Sequence, residues 1–293
     1  MSKQTKAPRK KEKKASQFSE VMGRLRRNKL AMVSLAVIIL IILAAIFANY
    51  VAPYDYAKQD MHNRFLYPSL QHLCGTDNFG RDIFSRIIYG ARYSLVVSVI
   101  AVAIAVVGGA ILGATSGYFG GLYDTIVQRI IDILMAIPSF LLAVVISASL
   151  GTGIMSSALA IAVGMMSVFE RIMRSSVLQI RDQEFIEAAK VTGASTARII
   201  FHEIIPNALS PIIVNATLGI SSAILAISGL SFIGLGIPAP TPEWGTLLSA
   251  GRDYIRDFWP MVTFPGVAIV ITIIAFNLLG DGLRDAMDPR LKQ

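Results

Sequence analysis

The sequence predicts an all-α membrane protein: six transmembrane helices with a charged helix-turn-helix set between the fourth and the fifth. Three observations predict it. Hydrophobic residues make up 54% of the 293 and charged residues only 16%, and the mean hydropathy is +0.60, a composition too apolar for an ordinary soluble domain. Apolar runs of about 20 residues, the length that crosses a bilayer as a helix, recur along the chain. The stretch from Arg174 to Glu203, in contrast, is charged and carries helix-capping residues.

The first element is a basic tail, residues 1–30. Eleven Lys and Arg stand there against two acids, Glu12 and Glu20, so the whole net charge of +8 resides in this tail. Lys10, Lys11, Lys13 and Lys14, then Arg24, Arg26, Arg27 and Lys29, precede an apolar run and fit a positive-inside anchor facing the anionic lipid bilayer. No aromatic-basic module follows them, which argues against nucleic acid as the partner of this charge. The first span is residues 31–51. A signal peptide is the rival reading of this end, but the uncharged stretch from Leu30 to Pro53 is longer than a signal core and lacks a small-x-small cleavage site.

An extracytoplasmic segment, 52–93, comes next, its Lys58, Arg64, Arg81, Arg86 and Arg92 offset by Asp55, Asp60, Asp77 and Asp82. It holds the only cysteine, Cys74, which has no partner for an internal disulfide. A core of five spans, 94–282, follows. The second span covers about Ser94 to Gly117. Between Asp132 and Glu170 lies an uncharged tract interrupted by Leu150-Gly151-Thr152-Gly153. Two spans do not fit inside it, so the third starts before Asp132 and the fourth reaches Glu170 or beyond. Arg129 and Asp132 then share a face of the third helix. They read either as a mutually neutralised pair at the membrane boundary or as an intersubunit or gating contact. Pro138 is expected to kink the same helix. The fifth span covers about Ser210 to Leu235 and the sixth about Pro260 to Leu279, leaving a C-terminal tail, 283–293.

Six crossings from a basic tail put both termini in the cytoplasm. Trp244, Trp259, Tyr50, Tyr54 and Tyr93 then fall at the outer face, where an aromatic belt is expected. The run from Gly234 to Pro242 breaks the fifth helix and leads into an outer loop. The charged segment 174–206 lies inside.

That segment reads as two short helices. Asp182 is placed to cap a helix through Glu187-Ala188-Ala189, and Gly193 to end it with a left-handed residue. Ser195 is placed to cap a second helix, and Pro206 to reset the chain as it re-enters the membrane. Ala188 and Ala189 allow a partner to approach closely, Phe185 and Ile186 offer apolar anchors, and Glu187 supplies a charge that fixes register. The competing reading is an interfacial hairpin resting on lipid. Glu184, Glu187 and Glu203 against Lys190 and Arg198 do not suit an anionic surface.

The pattern Glu187-Ala188-Ala189, Gly193 and Glu203-Ile204-Ile205-Pro206 resembles the EAA loop of ABC-importer permeases. It departs from that pattern at Glu203, where an aliphatic residue is common, and at Ile205, where leucine is. Three further segments are similar to the peptide/nickel-type branch and its C-type subunit. They are Gly75 to Arg86 with Gly90 to Leu95, Ser231 to Gly236 with Pro242 to Gly245, and Gly280 to Asp285 with Asp288-Pro289-Arg290. The resemblance implies a type I permease in the bacterial cell membrane that moves di- or oligopeptides, or a related solute such as a nickel chelate, inward by alternating access. It also implies a second, unlike permease, two ATPase subunits docked on Phe185, Ile186, Glu187, Ala188, Ala189, Gly193 and Pro206, and an extracytoplasmic substrate-binding protein. ATP and Mg would be used by the ATPase partners, with no cofactor bound by this chain. The chain has no Gly-x-x-x-x-Gly-Lys-Ser/Thr phosphate loop, its three histidines do not stand at metal-ligand spacing, and no nucleophile-and-base arrangement marks an intramembrane enzyme. A self-contained secondary transporter or channel, the alternative, is expected to show internal repeats or midplane charges.

Overall fold

The computed structural model describes residues 17–287, with side chains described from Val21 onward. Lys10, Lys11, Lys13 and Lys14 of the tail and Asp288-Pro289-Arg290 lie outside the described residues. Among the described residues the only β pairing is an isolated bridge between Thr76 and Asp82, and the regular elements are helices.

The first described element is α1 (Gln17–Leu25), an amphipathic helix of about two and a half turns whose Val21, Met22 and Leu25 pack inward. Asn28 caps α2 (Lys29–Ile46) by accepting a hydrogen bond from the Ala31 amide at 3.1 Å, and a short α3 (Ala48–Val51) extends it. The next helix, α4 (Ile83–Phe119), runs for 37 residues, about 55 Å at 1.5 Å per residue. It therefore starts eleven residues before Ser94, where the sequence placed the second span. Arg86 and Arg92 weigh against a membrane segment in sequence, yet a helix this long carries them beyond the roughly 30 Å apolar layer.

Two helices, α5 (Gly121–Ala136) and α6 (Ser139–Leu150), occupy the place of the third span and meet at 91°. The third span does begin before Asp132, but Pro138 does more than kink it. The residue before it, Ile137, is extended, and Pro138 stands at the first boundary of α6, so the helix is broken there. Beyond it come α7 (Ile154–Ile180), α8 (Glu184–Val191), the single turn α9 (Thr196–Arg198), α10 (Ile205–Phe232), α11 (Trp244–Gly251) and α12 (Pro260–Met287). Five of these helices, α2, α4, α7, α10 and α12, are long and apolar enough to cross a membrane, and the bent α5–α6 pair makes a sixth crossing if counted as one.

The core is built on the contact of α4 with α7. A Cβ at Gly113 would stand 2.3 Å from the Glu170 carbonyl oxygen, and one at Gly109 would meet the Met166 carbonyl at 2.7 Å. Small residues let the two backbones touch, the packing expected where lipid removes the hydrophobic drive between helices. Phe169, Met173 and Ile161 of α7 fill the remaining space against Val97, Ala101 and Ala105 of α4, and Ile212 and Ile227 of α10 complete the cluster. A second cluster joins α2 and α12 to the flank of α4.

At the end where α4 starts, residues 52–82 fold into a cap. The carboxylate of Asp77 accepts from the amides of Phe79 (2.8 Å) and Arg81 (2.9 Å), from Arg81 Nε (2.7 Å) and from Arg86 Nη1 (3.3 Å). Asp82 caps α4 through the Ser85 amide at 2.7 Å and meets His72 Nδ1 at 2.9 Å. Beside the cap, Glu243 is fully buried, accepts from Ser94 Oγ (2.9 Å) and the Thr246 amide (3.1 Å), and so holds α11 to α4. Trp244 is 2% exposed and donates its indole N–H to the Ile87 carbonyl at 2.9 Å. It is a packing residue and not part of an aromatic belt; Tyr50 and Trp259 remain exposed.

Candidate functional site

The helix-turn-helix predicted for 174–206 is present at the opposite end of the bundle, where α4 and α7 finish. It leaves α7 at Arg181, whose Nη1 donates to the Gly117 carbonyl at 2.9 Å and ties the ends of α7 and α4 together. Gln183, and not Asp182, occupies the N-cap position of α8, with no side-chain hydrogen bond; Asp182 instead faces Arg181 Nε at 3.4 Å. Glu184 and Glu187 in the first turn and Lys190 in the last complement the helix dipole, which stands in for the missing cap.

Gly193 ends α8 at φ +79°. Its N–H bonds to the Lys190 carbonyl and that of Ala194 to the Ala189 carbonyl, both at 3.0 Å, the paired hydrogen bonds of a Schellman turn. A Cβ at Gly193 would meet nothing within 4 Å, so what selects glycine is backbone conformation and not space. Ser195 caps the second helix as expected, accepting from the Arg198 amide at 3.3 Å. The chain then runs on as helix: Ile199–Ile204 form a wide turn closed by Ile205 N–H to the Ile200 carbonyl, and Pro206 sits in the first turn of α10. Pro206 thus does not break the chain. The wide turn gives its ring room that a tighter helix denies.

Burial divides the hairpin into two faces. Ile186 is fully buried and packs with Ile199, Ile200 and Ile204 in the main core. This corrects its reading as an anchor for a partner: it holds the hairpin onto the chain's own bundle. Lys190 Nζ lies 5.7 Å from the Tyr118 ring centroid and adds a cation–π contact to the end of α4. On the outward face, Phe185 is 39% exposed and Val191 87%, with Glu187 and Ala188 exposed between them and Ala189 half-buried. Phe201 is 53% exposed and lines an open groove of about 670 Å³ with Ala197, Arg198, His202 and Glu203. Val191 and Phe201 escaped the reading of the sequence. Phe185, Ala188 and Val191 recur every three residues and so share one helix face, a signal that was there to be found.

The other singled-out residues lie elsewhere. Arg129 and Asp132 are on α5 and Pro138 at the α5–α6 break. Arg129 approaches Asp132 only to 3.9 Å and is 78% exposed, whereas Arg171 Nη2 of α7 reaches Asp132 at 2.8 Å. The neutralising partner of Asp132 is therefore across the helix interface. Among the described residues no group of three or more His, Cys, Asp or Glu side chains could hold a metal ion.

A multi-pass helical membrane subunit that turns one well-anchored hairpin outward is the class these features define. Residues 105–293 match the family described as the binding-protein-dependent transport system inner membrane component, and residues 16–68 match the N-terminal TM domain of oligopeptide transport permease C. The dipeptide transport system permease protein DppC of Escherichia coli K12 is 49% identical over 275 residues, 92% of this chain and 91% of that protein. Its namesake in Alkalihalophilus pseudofirmus is 47% identical over 277 residues, 94% of this chain and 91% of that one. The di/tripeptide transport system permease protein DppC of Pseudomonas aeruginosa is 41% identical over 283 residues, 94% and 93% of the two chains. Among solved structures, the inward-facing MetNI methionine ABC transporter shares the fold, with a TM-score of 0.55 over 69% of this chain and 97% of that one at 20% identity. The chain belongs to the inner membrane permeases of binding-protein-dependent ABC importers.

Proposed function

We propose that this chain is one of two unlike permeases of an ATP-driven importer of di- or oligopeptides, seated by its hairpin on an ATP-hydrolysing partner, with both termini in the cytoplasm. The observation that carries the docking role is the division of the hairpin: isoleucines fix one face to the bundle while Phe185, Val191 and Phe201 stand exposed on the other. A lipid-resting hairpin would border its apolar face with basic residues; this one places Glu184 and Glu187 beside it. The peptide class of solute is supported by the names of relatives aligned along nearly the whole chain. ATP and Mg belong to the ATPase subunits, and an extracytoplasmic binding protein delivers solute to the end bearing the cap. ATP-driven closure of the ATPases moves the hairpins, and helices rigidly joined to them shift access from one side to the other.

The test separates docking from folding. Gly193→Val forces a β-branched side chain into a left-handed conformation, a strain of about 1 to 3 kcal/mol, and misdirects the hairpin. Glu187→Lys reverses an exposed charge and leaves the turn intact. Both variants are expected to insert and to pair with the other permease, yet to lose ATPase co-purification and peptide-stimulated ATP hydrolysis. Normal coupled hydrolysis in both would remove the docking role.

A further inference from the structure

The geometry points to Asp124, Gln128 and Asp132 of α5, with Arg174, Glu170 and Arg171 of α7, as the positioning residues that carry movement of the hairpin into α5 and on to the break at Pro138. Three rungs join the two helices. Arg174 binds Asp124 in a fork, Nε to Oδ1 at 2.7 Å and Nη2 to Oδ2 at 2.6 Å. Gln128 Nε2 donates to Glu170 Oε1 at 2.8 Å, and Arg171 Nη2 donates to Asp132 Oδ1 at 2.8 Å. On α5 the rungs stand four residues apart, so they form one stripe.

Three features make this stripe a device for moving α5 and not only a brace. Both ends of α5 are articulated: Gly120 and Gly121 hold φ of +65° and +59° at one end, and the 91° break lies at the other. Only Val127 and Ile131 of its sixteen residues are buried, so directional polar contacts bear much of its attachment. The far side of the stripe is α7, which continues through Arg181 directly into the hairpin, and the Arg181 contact with Gly117 lies just before the paired glycines. Glu170 adds a means of holding two positions. It is fully buried, its Oε1 accepts from both Gln128 and Ser116 Oγ (3.1 Å), and its Oε2 accepts from no protein group. A displaced α5 can pass the Gln128 donor to the second oxygen, and two discrete arrangements of packed helices are what transmit a switch over distance.

This inference rests on the docking role proposed above, and its test reports the two separately. The assembled transporter in liposomes would be compared as wild type, Gln128→Leu, Asp124→Arg, Arg174→Asp and the double exchange Asp124→Arg with Arg174→Asp, scoring ATPase co-purification and peptide taken up per ATP hydrolysed. Each single variant is expected to retain the ATPase but to lower uptake per ATP on the order of tenfold, the scale of a lost coupling between sites. The double exchange is expected to recover much of it. Failure of the wild type to bind the ATPase would refute docking. ATPase bound with unchanged uptake per ATP in Gln128→Leu and both charge variants would refute the stripe. Loss of the assembled complex in every variant, Gln128→Leu included, would reduce it to a structural brace and equally overturn the inference.

Discussion

The cap over the start of α4 and the hairpin past the end of α7 are both polar segments interrupting a membrane bundle, and they are built on opposite principles. In the cap the charges nearest α4 look inward, while Asp55, Lys58 and Arg64 are exposed. Asp77, Arg81 and Arg86 are all buried and paired, the aspartate accepting from two guanidinium groups and two amides, while Arg86 Nε finds no partner. In the hairpin the buried residues are aliphatic, and the charged and aromatic ones are turned out. Buried ion pairs tie the cap to its own helix α4, although Leu70, Met61 and Tyr67 stand exposed on it. The hairpin is tied to the bundle by aliphatic packing, and the phenylalanine and valine it exposes beside glutamate are the surface that the proposed docking would cover.

The largest test of that contrast is Asp77→Ala. It leaves two buried guanidinium groups without their carboxylate, and breaking a buried charge pair from one side costs about 3 to 5 kcal/mol. The variant is expected to accumulate poorly or to melt well below wild type in detergent, with no rescue from the ATPase. Unchanged thermal stability would mean that the cap does not rely on its charges. The corresponding change in the hairpin is Ile186→Ala, which removes a fully buried side chain and is expected to cost about 2 kcal/mol or somewhat more. Here the ATPase should restore part of the loss, since a partner that binds only the folded hairpin stabilises it. Val191→Ala reverses the pattern. Stability of the isolated chain should stay within about 0.5 kcal/mol, as for exposed positions generally, while ATPase binding weakens measurably in a titration.

How much of this was legible in the sequence follows from the same contrast. The spans were readable because long uncharged runs have few other solutions, and the hairpin because Gly193 and Ser195 are local signals whose partners lie within five residues. The helical stretch of α4 before Ser94 lies outside the apolar run that marks the second span, because Arg86 counts as a charge in sequence and its neutralisation by Asp77 requires the cap to be folded first. Ile186 was assigned to the wrong face for a related reason. Apolar residues side by side, Phe185 and Ile186, diverge by about 100° on a helix, and only the position of the bundle decides which of them is buried. The sequence also showed Asp132 beside Arg129 and not its true partner Arg171, which is 39 residues away. Local neighbours were legible; pairings across helices were not.

The smallest expected effect uses thiol chemistry to compare the two regions in one molecule. Cys74 lies in the cap at 9% exposure, and burial, with the Asp82 carboxylate nearby, pushes its thiol up to about 11. Only the thiolate reacts, and a group whose pKa is raised holds its proton through the whole range from pH 7 to 9. An ordinary exposed cysteine, with a pKa near 8.5, reacts readily there. Wild-type chain is therefore expected to take up almost no maleimide at pH 8 unless it is unfolded. Val191→Cys, in the same background, should label fast in the isolated permease and slowly once the ATPase is bound, with stability unchanged in both. Rapid labelling of Cys74 in the folded wild type would show the cap to be open and would dissolve the distinction between the two regions. Equal labelling of Val191→Cys with and without the ATPase would place the exposed face of the hairpin away from that partner.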